Sequence, residues 1–97
     1  MVDLFVHPAA LDEFVEASAF YEERATGLGE DFFEEVLRVW TEIRENPELA
    51  PEFEPPYRRY ICRRFPFNVV YRRIPEGVRV LAVMHQRRRP GYWRARG

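Results

Sequence analysis

The chain has 97 residues, a formal net charge of −1, 46% hydrophobic and 15% aromatic residues, which gives one domain with a packed core and excludes a second domain or a disordered chain. That near-neutral charge is the sum of two opposed halves: residues 1–54 hold 15 acidic and 3 basic side chains, net −12, while residues 55–97 hold 1 acidic and 12 basic ones, net +11, every base an arginine. No apolar stretch approaches the ~20 residues needed to span a bilayer, the single Cys62 forms no internal disulfide, and Met1–Phe14 lacks the basic start and long apolar run of a secretion signal; a cytoplasmic protein without membrane attachment is expected.

Val2–Val6 reads as a short strand, and Pro8 suits the first position of a helix, where its missing N–H costs nothing. From Ala9 to about Ala25, Leu11, Phe14, Val15, Ser18 and Tyr21 fall on one helical face, and Thr26-Gly27-Leu28-Gly29 breaks the helix. The next segment carries Phe32, Phe33, Val36, Leu37, Trp40 and Ile43 at helical spacing, with Glu30 and Asp31 in a first turn where the helix dipole favours them. Asn46-Pro47 ends it, because proline lacks the needed donor and pushes its predecessor out of helical geometry.

Glu48–Pro56, with three prolines, reads as a loop joining the acidic and basic halves. Arg58–Phe65, Phe67–Ile74 and Val78–His85 are rich in β-branched and aromatic residues and predict three antiparallel strands, the last two joined at Pro75-Glu76-Gly77. Alternation puts Phe67, Val69 and Tyr71 on a face for the helices and Asn68, Val70 and Arg72 on an opposite face expected to be open and arginine-bearing. The tail from Gln86 to Gly97 is basic, with Tyr92 and Trp93 inside it, and reads as loop or short helix.

The order strand, two helices, antiparallel meander resembles the toxins of the RelE/ParE superfamily, found in bacterial type II toxin–antitoxin (plasmid stabilisation) pairs. The residues that carry the resemblance are Val6-His7-Pro8-Ala9-Ala10, then Phe20-Tyr21-Glu22-Glu23 with Gly27-Leu28-Gly29 and Phe32. Arg63-Arg64-Phe65-Pro66-Phe67 with Val70-Tyr71-Arg72, and Val80–His85 with Arg87-Arg88 and Trp93, continue it. It covers Val6 to Trp93 and implies one α+β domain over residues 1–97, a two-layer α/β sandwich with a short tail. It also implies a cytoplasmic toxin that inhibits growth and is neutralised in a hetero-oligomer with a co-encoded antitoxin.

Two activities diverge within this superfamily, and fold alone does not choose between them. RelE-like members are ribosome-dependent mRNA endonucleases, whose chemistry needs a base, a leaving-group acid and cationic stabilisation of the phosphate. Arginine serves the last need, binding phosphate bidentately, but with a pKa above ~12 it is no base, and the lysines some RelE-like members use are absent. On that reading His85, the only side chain of the basic half that titrates near neutrality, is the acid or base, with Arg64, Arg87 and Tyr92 beside it. ParE-like members poison DNA gyrase by binding, without a known catalytic set, and the missing lysines favour this class.

The residues expected to meet target or antitoxin are Arg58, Arg59, Arg63, Arg64, Arg72, Arg87, Arg88, Arg89 and Trp93, the residue types that dominate binding hot spots. Trp93 folded back as a lid on the core is the structural alternative. A non-toxic module or decayed toxin that merely holds an antitoxin is a third functional reading. Metal and cofactor are not expected: two histidines and one cysteine form no ligand spacing, His7 suits a helix cap, and the carboxylates read as a solvated helical face.

Overall fold

The computed structural model describes all residues 1–97. In chain order the elements are β1 (Asp3–Val6), α1 (Pro8–Arg24), α2 (Leu28–Glu45), β2 (Glu52–Glu54), β3 (Tyr57–Ile61), β4 (Phe67–Ile74) and β5 (Gly77–His85), with a 3-10 turn at Arg94–Arg96. The α+β class and the strand, helix hairpin, meander order are those the sequence implied, with one strand more. That strand, β2, lies inside the Glu48–Pro56 segment read as loop, and pairs Glu52 with Arg58 and Glu54 with Tyr57. β3 is shorter than expected, ending at Ile61, because Cys62–Pro66 forms the turn in which the Cys62 N–H donates to the Phe67 carbonyl.

The strands lie in the order β1-β5-β4-β3-β2, antiparallel except that β1 runs parallel to β5, with Val6 opposite Val80. His7 caps α1: its Nδ1 accepts the Ala9 N–H at 3.0 Å, with Pro8 in the first turn. Gly27 starts α2 at φ 87°, a left-handed conformation that glycine adopts without cost. Gly29 brings the helices together, since a Cβ there would lie 2.3 Å from the Ser18 carbonyl oxygen, and the Glu22 carboxylate accepts the N–H groups of Gly27 and Gly29 at 2.9 and 3.0 Å.

Both helices pack on one sheet face. Ala10 and Phe14 of α1 and Phe32, Val36, Val39, Trp40 and Ile43 of α2 meet Phe67, Val69 and Tyr71 of β4 and Val78, Val80 and Val83 of β5. The apolar stripes are narrower than their spacing implied. Leu11, Val15, Phe33 and Leu37 remain about half exposed, because α1 and α2 each present one ridge to the sheet and to one another, and these four sit on its shoulder.

A bulge in β5 redirects the second face. Val70 pairs with Ala82 but Tyr71 with Val80, so Leu81 has no partner and the alternation of β5 changes parity. Val78 and Val80 point to the helices, as does Val83, whereas Leu81, Ala82 and Met84 join Val70 on the opposite side.

Candidate functional site

The second face of the sheet is not the open arginine surface the alternation implied. After His85 the chain turns at Pro90 and at Gly91, with φ 81°, and the tail folds back over β4 and β5. Trp93, 2% exposed, completes an apolar cluster with Val70, Leu81, Ala82 and Met84, its ring 4.7 Å from Tyr57 and 5.7 Å from Phe53. Trp93 is thus a lid on the core and offers a partner no free surface. Burial wins because the bulge has gathered more apolar side chains on this face than a solvated sheet face tolerates, and one indole covers them.

The tail is anchored by Glu13, which the sequence presented as one of many solvated helix carboxylates. Its side chain is 11% exposed and accepts four hydrogen bonds: Val83 N–H at 3.1 Å, Arg96 Nη1 at 3.0 Å, Arg88 Nη1 at 3.1 Å and the Tyr92 hydroxyl at 2.6 Å. The cause lies in the sheet. β1 stops opposite Val80, where the His7 N–H donates to the Val80 carbonyl, and beyond it β5 presents an edge without a neighbouring strand. Side chains replace that strand: Glu13 takes the Val83 N–H, and Arg96 donates to the Leu81 carbonyl at 3.0 Å.

The same anchoring changes the meaning of the divided charge. Four ion pairs join the acidic half to the basic half: Arg64–Asp31, Arg88–Glu13, Arg94–Glu54 and Arg96–Glu13. A third of the twelve basic side chains therefore neutralise this chain's own carboxylates before any partner arrives. Among the expected binding residues, Arg58 turns inward and donates to the Ala50 carbonyl at 2.8 Å, and Arg72 donates to the Gly97 carbonyl at 2.9 Å. Arg59 lies over the Phe53 ring at 4.6 Å without a carboxylate, while Arg63, Arg87 and Arg89 are exposed and carry no ion pair.

Three of the four residues named for nuclease chemistry are engaged by other contacts. Arg64 is paired with Asp31 of α2 at 2.8 Å. The Tyr92 hydroxyl donates to Glu13, and burial, reinforced by that bond and charge, raises its pKa, so it gives up its proton less readily than an ordinary phenol. His85 lies on the helix side of the sheet, its ring 5.2 Å from Phe67, with Nδ1 accepting the Arg87 N–H at 3.0 Å. It lines a cleft with Glu13, Glu16 and Arg88, whereas Arg64, Arg87 and Tyr92 line no cavity.

One further cleft, of about 240 Å³, opens between the second sheet face and the tail, and its lining includes Phe53, Arg59, Asn68, Gln86, Arg88 and Trp93. Asn68 and Gln86 were not singled out from the sequence, although an amide inside the apolar run Phe67–Tyr71 is a readable irregularity. Glu13 gave no comparable signal, since nothing local separates it from Asp12 or Glu16. No group of three or more His, Cys, Asp or Glu side chains is placed to share a metal ion, and no helix is long and apolar enough to cross a membrane.

A helical hairpin on one face of a five-stranded sheet, with a basic tail locked across the other, defines the class of small two-layer α+β proteins to which RelE-like toxins belong. Residues 4–90 match the model of the family described as the ParE toxin of type II toxin-antitoxin system, parDE, and the chain belongs to that family. No curated protein sequence matches it. Among solved structures it is similar in fold to a chain of the chromosomal ParDE TA system from P. aeruginosa, with 15% identity and a TM-score of 0.63 over 88% of this chain and 96% of that one.

Proposed function

We propose that this protein is the toxin of a bacterial type II toxin–antitoxin pair and arrests growth in the cytoplasm by binding DNA gyrase. Family membership supports the toxin role. The observation that favours binding over RNA cleavage is the engagement of the candidates elsewhere: Tyr92 is committed to Glu13, Arg64 to Asp31, and His85 faces the helices. A nuclease of this kind requires its base, acid and phosphate-binding groups to be free to converge on one phosphate, which the engagement of Tyr92 and Arg64 opposes.

The antitoxin is a co-encoded chain, and an acidic amphipathic segment of it suits the exposed Arg63, Arg87 and Arg89 and the half-buried Arg59, none of which carries an ion pair. Purified protein, assayed in parallel for inhibition of gyrase supercoiling and for ribosome-dependent mRNA cleavage, should inhibit the first and lack the second. Cleavage abolished by His85→Ala would overturn this reading in favour of the endonuclease. Induction without the antitoxin should stop growth, and normal growth with soluble protein would remove the toxin role altogether.

A further inference from the structure

The cleft between the second sheet face and the tail contains the one buried polar residue of the protein, Asn68, which is 7% exposed. It lies in the middle of the sheet, where β4 pairs it with Ile61 of β3 and Met84 of β5, a position that a valine would fill without a polar group to satisfy. Gln86 Nε2 donates to Asn68 Oδ1 across 3.4 Å, which leaves Nδ2, a donor of two N–H groups, without a protein partner. Nδ2 is not sealed into the core. Trp40 Nε1 is the one unpartnered side-chain atom closed to solvent, so the Asn68 amide opens into the cleft.

One free cation stands beside that amide. Strand register sets Arg59 opposite Val70, the next residue after Asn68 on this face of β4, and such diagonal neighbours lie within reach of a long side chain. The Arg59 guanidinium is half-buried over the Phe53 ring at 4.6 Å and has no carboxylate, whereas Arg88 and Arg94, also on the lining, are neutralised by Glu13 and Glu54. Val70 and Met84 form an apolar floor, and both aromatic rings are already in use, Phe53 under Arg59 and Trp93 in the core. The free groups on Asn68 Nδ2 and Arg59 are donors, one neutral and one charged. One carboxylate matches them, with an oxygen for each and a short aliphatic stem for the floor. A phosphate, with three acceptor oxygens and a charge near −2, exceeds what one amide and one uncompensated cation supply. The volume of about 240 Å³ lies below the ~300 Å³ at which pockets for drug-sized ligands begin, and suits a single side chain.

We propose that this cleft is a carboxylate-binding site that takes up one glutamate side chain of the antitoxin's acidic segment, with its two oxygens on Asn68 Nδ2 and Arg59. The assignment deepens the antitoxin reading above and rests on it for the source of the carboxylate, while the chemistry of the site rests on the cleft alone. It accounts for Asn68: a residue that weakens the sheet is retained where its amide is used.

The test is titration of the purified full chain, at fixed ionic strength, with acetyl-Ala-Leu-Glu-Leu-Ala-amide, its glutamine counterpart, butyrate and inorganic phosphate, followed by the NMR signals of the Asn68 side-chain amide and Arg59 Nε–H. The glutamate peptide should saturate and move both signals, and the glutamine peptide should bind at least about tenfold more weakly. Butyrate should move the same signals with lower affinity than the glutamate peptide. Asn68→Val should fold with an unchanged or higher melting temperature yet bind the glutamate peptide at least about tenfold more weakly. Arg59→Gln should lose as much, and it decides alone if Asn68→Val does not fold. Arg73→Gln, which removes the same charge from an exposed position outside the cleft, should change binding by less than about twofold. Equal binding of the two peptides, phosphate binding as tightly as the glutamate peptide, undiminished binding in folded Asn68→Val or in Arg59→Gln, or no saturable binding each overturns the proposal. Butyrate binding as tightly as the glutamate peptide overturns a partner segment as the source. Growth arrest and gyrase inhibition by the free chain are read separately, so a failure here is distinguishable from failure of the toxin reading.

Discussion

Replacing Glu13 by glutamine keeps the size of the side chain and removes its charge, and the geometry allows the cost to be worked out. The carboxylate accepts from Val83, Arg88, Tyr92 and Arg96 while only 11% exposed. A hydrogen bond to a charged group contributes ~1.5–3 kcal/mol, and truncating one partner of a buried ion pair costs ~3–5 kcal/mol. The four contacts form one network and do not add, and Arg88, half exposed, retains water as an alternative partner. Glutamine keeps one acceptor and one donor, so the expected loss is ~3 kcal/mol, which for a domain of this size lowers the melting temperature by about 12–24 °C. Thermal unfolding followed by circular dichroism measures the loss, and amide exchange over Tyr92–Gly97 shows whether the tail has been released from β5. Glu16→Gln, one helical turn away and exposed, is the control and should stay within ~0.5 kcal/mol of the parent. A Glu13→Gln protein that melts within two or three degrees of the parent with undiminished protection of the tail would refute the reasoning, because Trp93 burial alone would then suffice to hold it.

Gly29→Ala should destabilise by ~1–3 kcal/mol in urea titration, although alanine is the better helix former, since its Cβ would fall 2.3 Å from the Ser18 carbonyl and the hairpin must open to admit it. Tyr71→Phe should cost ~1–2 kcal/mol by the same method, because the hydroxyl donates to the Pro47 carbonyl at 2.9 Å and accepts the buried Ala50 N–H at 3.2 Å, and phenylalanine leaves that N–H unpaired. Burial pushes the Cys62 thiol from 9.0 up to about 11, so native protein at pH 8 should resist alkylation that proceeds readily in urea; rapid labelling of the native state would contradict the burial. The sign for stability follows from the same shift. A thiol whose folded pKa is raised stabilises the fold fully below pH 9 and loses that contribution as pH rises toward 11, so Cys62→Ala should flatten this part of the stability profile.

Much of the fold is legible locally. The α2 stripe from Phe32 to Ile43, the His7-Pro8 start of α1, the Gly27–Gly29 break and the alternation in β4 each follow from periodicity or from a residue whose backbone preference leaves one option. β2 was not legible, because its three residues lie among prolines that signal a loop and become a strand only when β3 provides a partner. The exposed shoulders at Leu11 and Phe33 were not legible either, since periodicity orients an apolar stripe but does not say how wide a strip its neighbours cover.

Composition and order along the chain determined the class of this protein, one small α+β domain with an acidic helical hairpin and a basic sheet and tail, and they identified its family resemblance. They also separated the charges. What only the tertiary structure decided is which of those charges remain available to a partner. The parity change at Leu81 gathers apolar side chains on the second sheet face, Trp93 closes over them, and the unpaired edge of β5 recruits Glu13 and Arg96. These are contacts between residues as far apart in sequence as Glu13 and Arg96, governed by where β1 happens to end and not by any local pattern. For that reason a tail that reads as a free basic arm is an internal strap, and of the nine residues expected to meet a partner the cations without an ion pair or a carbonyl partner are Arg59, Arg63, Arg87 and Arg89.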